Sequence, residues 1–428
     1  MRTLLYLLLI SASLWSSTLN ELITYALEHS TLTKESQTDI ALSQLRRKAS
    51  RAVQYGELTL VADATHYNSE RTLAPLSPSS ISSGNPITTT KDLFSAGLSY
   101  TLPLFTGFAQ THQIEIDTLS NEMAHVTAKL TREQLVYNIR SLYLTALALE
   151  ERLKAQQHYT EALERLHEQI AYEVDVGKKA TIDLLKAKAD LYASQTQSAL
   201  LASNIATTKA SLSALVNKEV STLSEVAIEI NASHVALETL YSKVPTLSKV
   251  TLENTSLHKA ERQIKKAAAS KLPQLNLNAY LGKNYGEDIT TNRWDDETLY
   301  QVGLTLRYNL VDFGKRDISV EKATLSKMKA ALHKEQTLLD LKKSLAKANA
   351  TLQRTYSQYV GFTAQLQLSQ QSEQIEQIRY DNDVATLNDL LLAKGKTHLA
   401  EAQLIESKYN YQNSLYYIDY LMEQGVTE

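Results

Sequence analysis

The chain has 428 residues, with 44 Lys plus Arg against 47 Asp plus Glu and a formal net charge of −3. No basic surplus exists to neutralise a phosphate backbone, which excludes nucleic acid as a main partner. Cysteine is absent, and with it go disulfides, thiolate nucleophiles, cysteine metal sites and the lipid-accepting cysteine of an anchored lipoprotein.

The first residues, MRTLLYLLLISASLWSS, place one Arg before a short apolar run and then small residues. This is the layout of a secretory signal peptide over residues 1–16, with cleavage expected between 13 and 17. The run is too short to span a bilayer, and no later segment reaches 18 uninterrupted apolar residues. Any membrane crossing is therefore expected from strands.

ELTLVADA alternates with Leu58, Leu60 and Ala62 on one side, which predicts a strand at about 57–64. The Ser/Thr-rich stretch THYNSERTLAPLSPSSISSGNPITTT contains Pro75, Pro78 and Pro86 and reads as a long solvated loop. A second strand is predicted at about 93–104. In FSAGLSYTLPLF, Phe94, Ala96, Leu98, Tyr100, Leu102 and Leu104 share one face, opposite Ser95, Gly97, Ser99 and Thr101. A very long helical stretch follows. Leu135, Ile139, Leu142, Ala146, Leu149 and Leu153 step by fours and threes, and Leu163, Leu166, Ile170 and Val174 resume the seam. As a nearly continuous helix this stretch would span roughly 100 Å, so it requires other rods to pack against. Gly177 is the only glycine between Phe108 and Val244, and it places the turn of a helical hairpin over about 108–216, with its tip at 177–182.

Residues 217–245 read as a connector, and the same grammar then returns. PQLNLNAYL predicts a strand at about 273–282, a loop holds Gly286 and Trp294, and QVGLTLRYNLV predicts a strand at about 299–311. A second helical hairpin is expected over about 315–421, with its tip at 383–388. Gly97 and Gly303 head ungapped similar segments 206 positions apart, and Asp183 and Asp389 are separated by the same offset. One offset shared by a strand and a distant helical turn indicates internal duplication, with repeats at 17–216 and 246–428.

The LNELITYALEHS opening, the paired strand hairpins, GLSYTLPLFTGF with its echo, LPQLNLN and the two Asp-Leu-Leu-x-Ala turns together resemble the TolC-like outer-membrane efflux proteins. The resemblance covers essentially the whole mature chain. It implies a mainly α chain with membrane β, whose homotrimer closes a 12-stranded β-barrel continuous with a periplasmic α-helical barrel. It also implies a passive exit duct in the bacterial outer membrane. The expected partners are outer-membrane lipid, a periplasmic adaptor protein and an inner-membrane pump of the RND or ABC type, in an efflux or type I secretion system. Leu98, Tyr100, Leu102, Leu304, Leu306 and Tyr308 are then the lipid-facing strand residues, while Tyr280 has the opposite, inward parity. A secreted periplasmic coiled-coil structural or adaptor protein is the alternative. No catalytic constellation, cofactor motif or metal-ligand spacing occurs among the scattered histidines.

By the same resemblance the hairpin tips form the periplasmic entrance. Val174, Gly177 and Asp183 mark it in the first repeat, and Tyr380, Asp383 and Asp389 in the second. Thr181 and Thr386 sit where the return helices start, and Thr386 with Asp389 fits a T-x-x-D capping box. An acid near a helix N-terminus is already favourable by about 0.3 to 1 kcal/mol when exposed. Lys178 and Lys179 read as solvated tip charges, with adaptor contact as their functional role. Leu392 and Ala385 stand where some family members carry a second acid and an arginine.

Overall fold

The computed structural model describes residues 18–84, 86–232 and 236–425. The expected signal peptide lies outside them. The chain divides into two units, one comprising Met1–Thr38, Val126–Thr251 and Gln336–Glu428, the other Asp39–His125 and Leu252–Glu335.

The second unit holds four strands, β1 (Glu57–Thr72), β2 (Thr89–Phe105), β3 (Gln274–Glu287) and β4 (Trp294–Arg307), in one antiparallel sheet of order β1-β2-β3-β4. Paired residues share a face, so the register sorts the side chains. Leu58, Tyr100, Ala279 and Val302 form one row, Leu60, Leu98, Leu281 and Tyr300 the next, and Leu102, Leu277 and Leu304 a third. On the opposite face Thr59, Ser99, Tyr280 and Gln301 align, as do Thr101, Asn278 and Gly303. Tyr280 lies over the paired Gly97 and Gly282, where an added Cβ on either glycine would collide with its ring or hydroxyl. The two glycines thus make room for one flat aromatic on the polar face.

Five strand ends differ from the sequence expectation by four residues or more. The stretch from Thr65 is not all loop: β1 continues to Thr72, with Arg71 and Thr72 paired to Thr90 and Thr89 after a register shift. Backbone ladders need no apolar alternation, so polar residues extend the strand. Only 73–88 connect the pair, with the short helix α3 (Pro78–Ser82) between them. Likewise Gly286 and Trp294 are strand residues paired with Asp295 and Glu287. Asp288 closes that turn by accepting from the backbone N–H groups of Thr290 (2.8 Å) and Thr291 (2.7 Å). At its other end β4 stops at Arg307, short of the predicted 311, because the residue next in register on β3 is Pro273, which has no N–H to continue the ladder.

Besides α3, the α-helices of the described residues are α1 (Leu19–His29), α2 (Thr31–Ala52), α4 (Ala109–Asp175), α5 (Thr181–Val216), α6 (Leu237–Lys243), α7 (Ser248–Ala269), α8 (Lys315–Asp381) and α9 (Leu387–Leu421). The bounds of α8 are those of α4 shifted by 206 positions. The strand-to-helix junctions repeat at the same offset, since Gly107 and Phe108 and their counterparts Phe313 and Gly314 all have positive φ.

In the first unit, Leu22 and Ala26 of α1, Leu135, Ile139 and Tyr143 of α4, Leu212 and Val216 of α5 and Tyr409 of α9 form one core cluster. Leu240, Val244 and Val250 pack with Leu345 and Leu352 of α8 and Tyr411 and Ile418 of α9 in another. On α4 the buried stripe takes in Tyr143, Leu144 and Leu147 and leaves Leu149 and Leu153 half-buried. A straight α-helix drifts off a 3.5-residue repeat. Helix α5 has the length and hydropathy to cross a membrane, though it contains no long uninterrupted apolar run. Its Leu212 and Val216 are instead in the protein core.

Candidate functional site

The sheet presents an apolar face that nothing in the described chain covers. Tyr300, Val302, Leu304 and Leu306 of β4 are between 63% and 83% exposed. Leu98 is exposed, while Tyr100 and Leu102 are half-buried, and the Tyr100 hydroxyl donates to the backbone oxygen of Tyr55 at 2.6 Å. Tyr308 lies beyond the end of β4, so it is not a strand residue. From Tyr300 to Leu306 the belt is roughly 20 Å tall at about 3.4 Å per residue. Above it, on the same face, Lys283 pairs with Asp296 and Phe94 packs against Trp294 at 5.5 Å. Apolar residues thus give way to aromatic and charged ones along each strand. Among the described residues both outer edges, β1 and β4, have no neighbouring strand.

At the far end of each long helix the chain reverses by one repeated geometry. Gly177 has φ +76° and its counterpart Asp383 has φ +58°. The N–H of Gly177 bonds to Val174 O (3.0 Å) and that of Lys178 to Glu173 O (2.7 Å); Asp383 bonds to Tyr380 O (3.0 Å) and Val384 to Arg379 O (2.8 Å). A left-handed residue after each helix therefore satisfies its last carbonyls.

The return helices start differently. In the second repeat Thr386 is the N-cap: Asp389 N–H donates to Thr386 Oγ1 (3.2 Å), and Thr386 N–H and Oγ1 both donate to Asp389 Oδ2 (3.0 and 2.7 Å). These bonds hold the Asp389 carboxyl below the usual aspartate range, the Thr386 hydroxyl first among them. In the first repeat the N-cap is Ala180, with no side-chain cap, and Thr181 is the first helical residue. Thr181 is therefore not the counterpart of Thr386. Asp183 occupies the same turn position as Asp389 but has no capping hydroxyl to bond.

The two tips meet in one apolar cluster, where Leu166 and Ile170 of α4 and Ala187 of α5 pack with Tyr380, Leu387 and Leu390. Val174 packs against it, half-buried. Lys178 is exposed, but Lys179 is not the solvated charge its position suggested: its side chain is 17% exposed. Its Nζ lies 3.8 Å from the centroid of the Tyr380 ring and 3.6 Å from Glu173. Burial disfavours the ammonium, yet Tyr380, Glu173 and Asp383 together raise its pKa above the ordinary lysine value.

A polar node between α4, α5 and α9 carried no sequence motif. Gln156 Nε2 donates to Ser194 Oγ (2.8 Å), so its Oε1 accepts from His398 Nε2 (2.8 Å), and the His398 ring stacks on Tyr159 at 4.5 Å. His398 Nδ1 is buried without a partner. Burial, then the charge of Arg152, depresses the histidine pKa. Among the described residues no group of three or more His, Asp or Glu is placed to hold a metal ion.

The sequence profile of the outer membrane efflux protein family matches residues 22–218 and 253–421. The chain belongs to that family. No curated protein matches it by sequence. Among solved structures this outer membrane efflux protein is similar to the outer membrane protein VceC from Vibrio cholerae, at 17% identity over 95% of this chain and 96% of that one, with TM-score 0.78. It is similar to the CmeC outer membrane channel of Campylobacter jejuni, at 17% identity over 95% and 86% of the two chains, TM-score 0.77. The open state of the MtrE outer membrane channel of Neisseria gonorrhoeae matches at 15% identity over 95% and 89%, TM-score 0.75. At these identities the likeness establishes a shared fold, mostly helical with a small antiparallel sheet. Family and fold place the protein in the bacterial outer membrane with a periplasmic helical extension, as a channel protein and not an enzyme.

Proposed function

We propose that this outer membrane efflux protein is the passive exit duct of a tripartite efflux or type I secretion system. In this reading three copies each contribute β1 to β4 to a 12-stranded barrel continuous with a periplasmic helical tunnel. The observation that carries it is the sheet's pair of open edges beside an uncovered apolar face. Each exposed Leu or Val on that face gains about 1.5–3 kcal/mol on leaving water, and lipid supplies that gain only if every strand edge is paired. Closure by copies of the same sheet satisfies both demands. The polar row of Thr59, Ser99, Tyr280 and Gln301 then lines a wet lumen.

The repeats at 17–216 and 246–428, with 217–245 as an equatorial connector, supply the two helical hairpins of each protomer. Their tips form the periplasmic entrance, with Val174, Gly177 and Asp183 in one and Tyr380, Asp383 and Asp389 in the other. Threefold symmetry makes Asp389 a ring of carboxylates that concentrates cations. An inner-membrane pump of the RND or ABC type drives export through a periplasmic adaptor. Exposed Lys178 is the better placed of the two lysines for adaptor contact, since Lys179 is occupied by Tyr380 and Glu173.

The test is electrophoresis and conductance of protein extracted from outer membranes. A heat-dissociable trimer that forms ion channels in planar bilayers is expected, and a monomer that forms none overturns the reading.

A further inference from the structure

In the second unit, α2, α4, α7 and α8 are linked in series by side-chain contacts. Asn121 Nδ2 donates to Ser43 Oγ (2.7 Å), Lys266 Nζ donates to Gln113 Oε1, and Lys327 pairs with Glu261 (3.0 Å). The four helices border a cavity of about 650 Å³. Its walls carry Arg46 from α2, Gln113, Ile116 and Asp117 from α4, and Lys259 and Lys266 from α7, together with three serines.

The charges in this groove are unbalanced. Three cations face one carboxylate, and Asp117 already accepts from Gln113 Nε2 at 2.8 Å. Among the described residues neither Arg46 nor Lys259 has a salt-bridge partner. A concave wall of one sign focuses its field into the groove. A guanidinium fork and two ammonium groups match carboxylate and phosphate oxygens, and Ile116 offers an apolar contact.

We propose that this groove binds organic anions bearing carboxylate or phosphate groups, with Arg46 and Lys259 as the charged ligands and Lys266 completing the set. As a station on an export route it rests on the duct reading; as an anion site it does not.

The test is calorimetric titration of the detergent-solubilised full chain with benzene-1,3,5-tricarboxylate. Saturable binding is expected, weakened roughly tenfold or more in Arg46→Gln/Lys259→Gln, as loss of charge-assisted bonds requires. It should be unchanged in Arg47→Gln/Lys265→Gln, which removes neighbouring charges outside the groove. Because Arg46 and Lys259 have no salt-bridge partner, the first variant should keep the parent's melting temperature. No saturable binding to the parent chain, or equal binding to both variants, overturns the proposal. Weakened tricarboxylate binding together with loss of co-purifying lipid phosphorus in the first variant alone supports the site and names a lipid headgroup as its phosphate source, whereas weakened binding with unchanged lipid phosphorus supports it with a free anion as the ligand. A parallel bilayer measurement separates the two readings. Tricarboxylate binding without conductance leaves the anion site and removes the duct, whereas conductance without binding does the reverse.

Discussion

Lys179 of the first hairpin lies with its ammonium 3.8 Å from the ring centroid of Tyr380 in the second and 3.6 Å from the carboxylate of Glu173. A cation over an aromatic face contributes about 0.5–1 kcal/mol at exposed sites and about 2 when desolvated. Here the lysine is largely shielded and Tyr380 is buried. A double-mutant cycle of Lys179→Met and Tyr380→Leu, read by thermal unfolding, should show a coupling of about 1 kcal/mol. A coupling indistinguishable from zero would mean the contact is incidental.

Gly177 sits at φ +76° with no atom within 4 Å of where a Cβ would stand. Any cost of Gly177→Ala is therefore backbone strain alone, about 1 kcal/mol. The mirror change, Asp383→Gly, should stabilise the second tip, because a non-glycine residue there holds φ +58°. Unfolding midpoints that move in the same direction for both variants would contradict this account.

The two return helices differ by one hydroxyl. Thr386→Ala removes the cap and should cost about 0.5–2 kcal/mol, whereas Ala180→Thr should complete a capping box with Asp183 and stabilise the first tip. Amide exchange in the first turns of α5 and α9 is the direct readout. Protection should rise in α5 for Ala180→Thr and fall in α9 for Thr386→Ala.

Asp389 has a folded-state pKa below the ordinary aspartate value because Thr386 bonds its carboxylate. Its contribution is complete above the unfolded-state pKa of about 3.9 and is lost as pH falls through the lower folded value. Asp389→Asn should flatten the acid limb of stability below about pH 4. In bilayers, Asp389→Ala should weaken block by divalent cations. Unchanged block over a range of magnesium concentrations would remove the carboxylate ring from the entrance.

His398 is depressed in the same sense, by burial first and Arg152 second. The neutral ring is the one its surroundings accept. Stability should be full above about pH 6.5 and decline as pH falls through the lower folded pKa. The facing groups are Arg152 and Tyr159 of α4 and Asp190 of α5. His398→Gln should remove the decline that sets in below about pH 6.5, and melting curves that retain it would assign the effect elsewhere.

Alternation in FSAGLSYTLPLF and QVGLTLRYNLV is local, so a reading of each strand by itself finds the apolar face. The 206-residue offset is equally visible, and it recurs in helix bounds and in the positive-φ junctions. Strand ends were not legible. The polar extension to Thr72 and the stop at Arg307 depend on which residue stands opposite. At the tips, its place in an exposed turn marked Lys179 as solvent-facing, because nothing local to it reveals Tyr380, 201 positions later.

The sequence by itself determined the repeat, the long helical rods, the two turns and the two-faced strands, all of which follow from periodicity or from one residue's backbone freedom. Only the tertiary structure decided the rest. It set the register that aligns three apolar rows, buried Tyr380 under a lysine of the other hairpin, gathered Gln156, Ser194 and His398 from three helices, and brought Arg46 and Lys259 to one groove. Those contacts join residues far apart in the chain, and packing, not local propensity, selects such pairs.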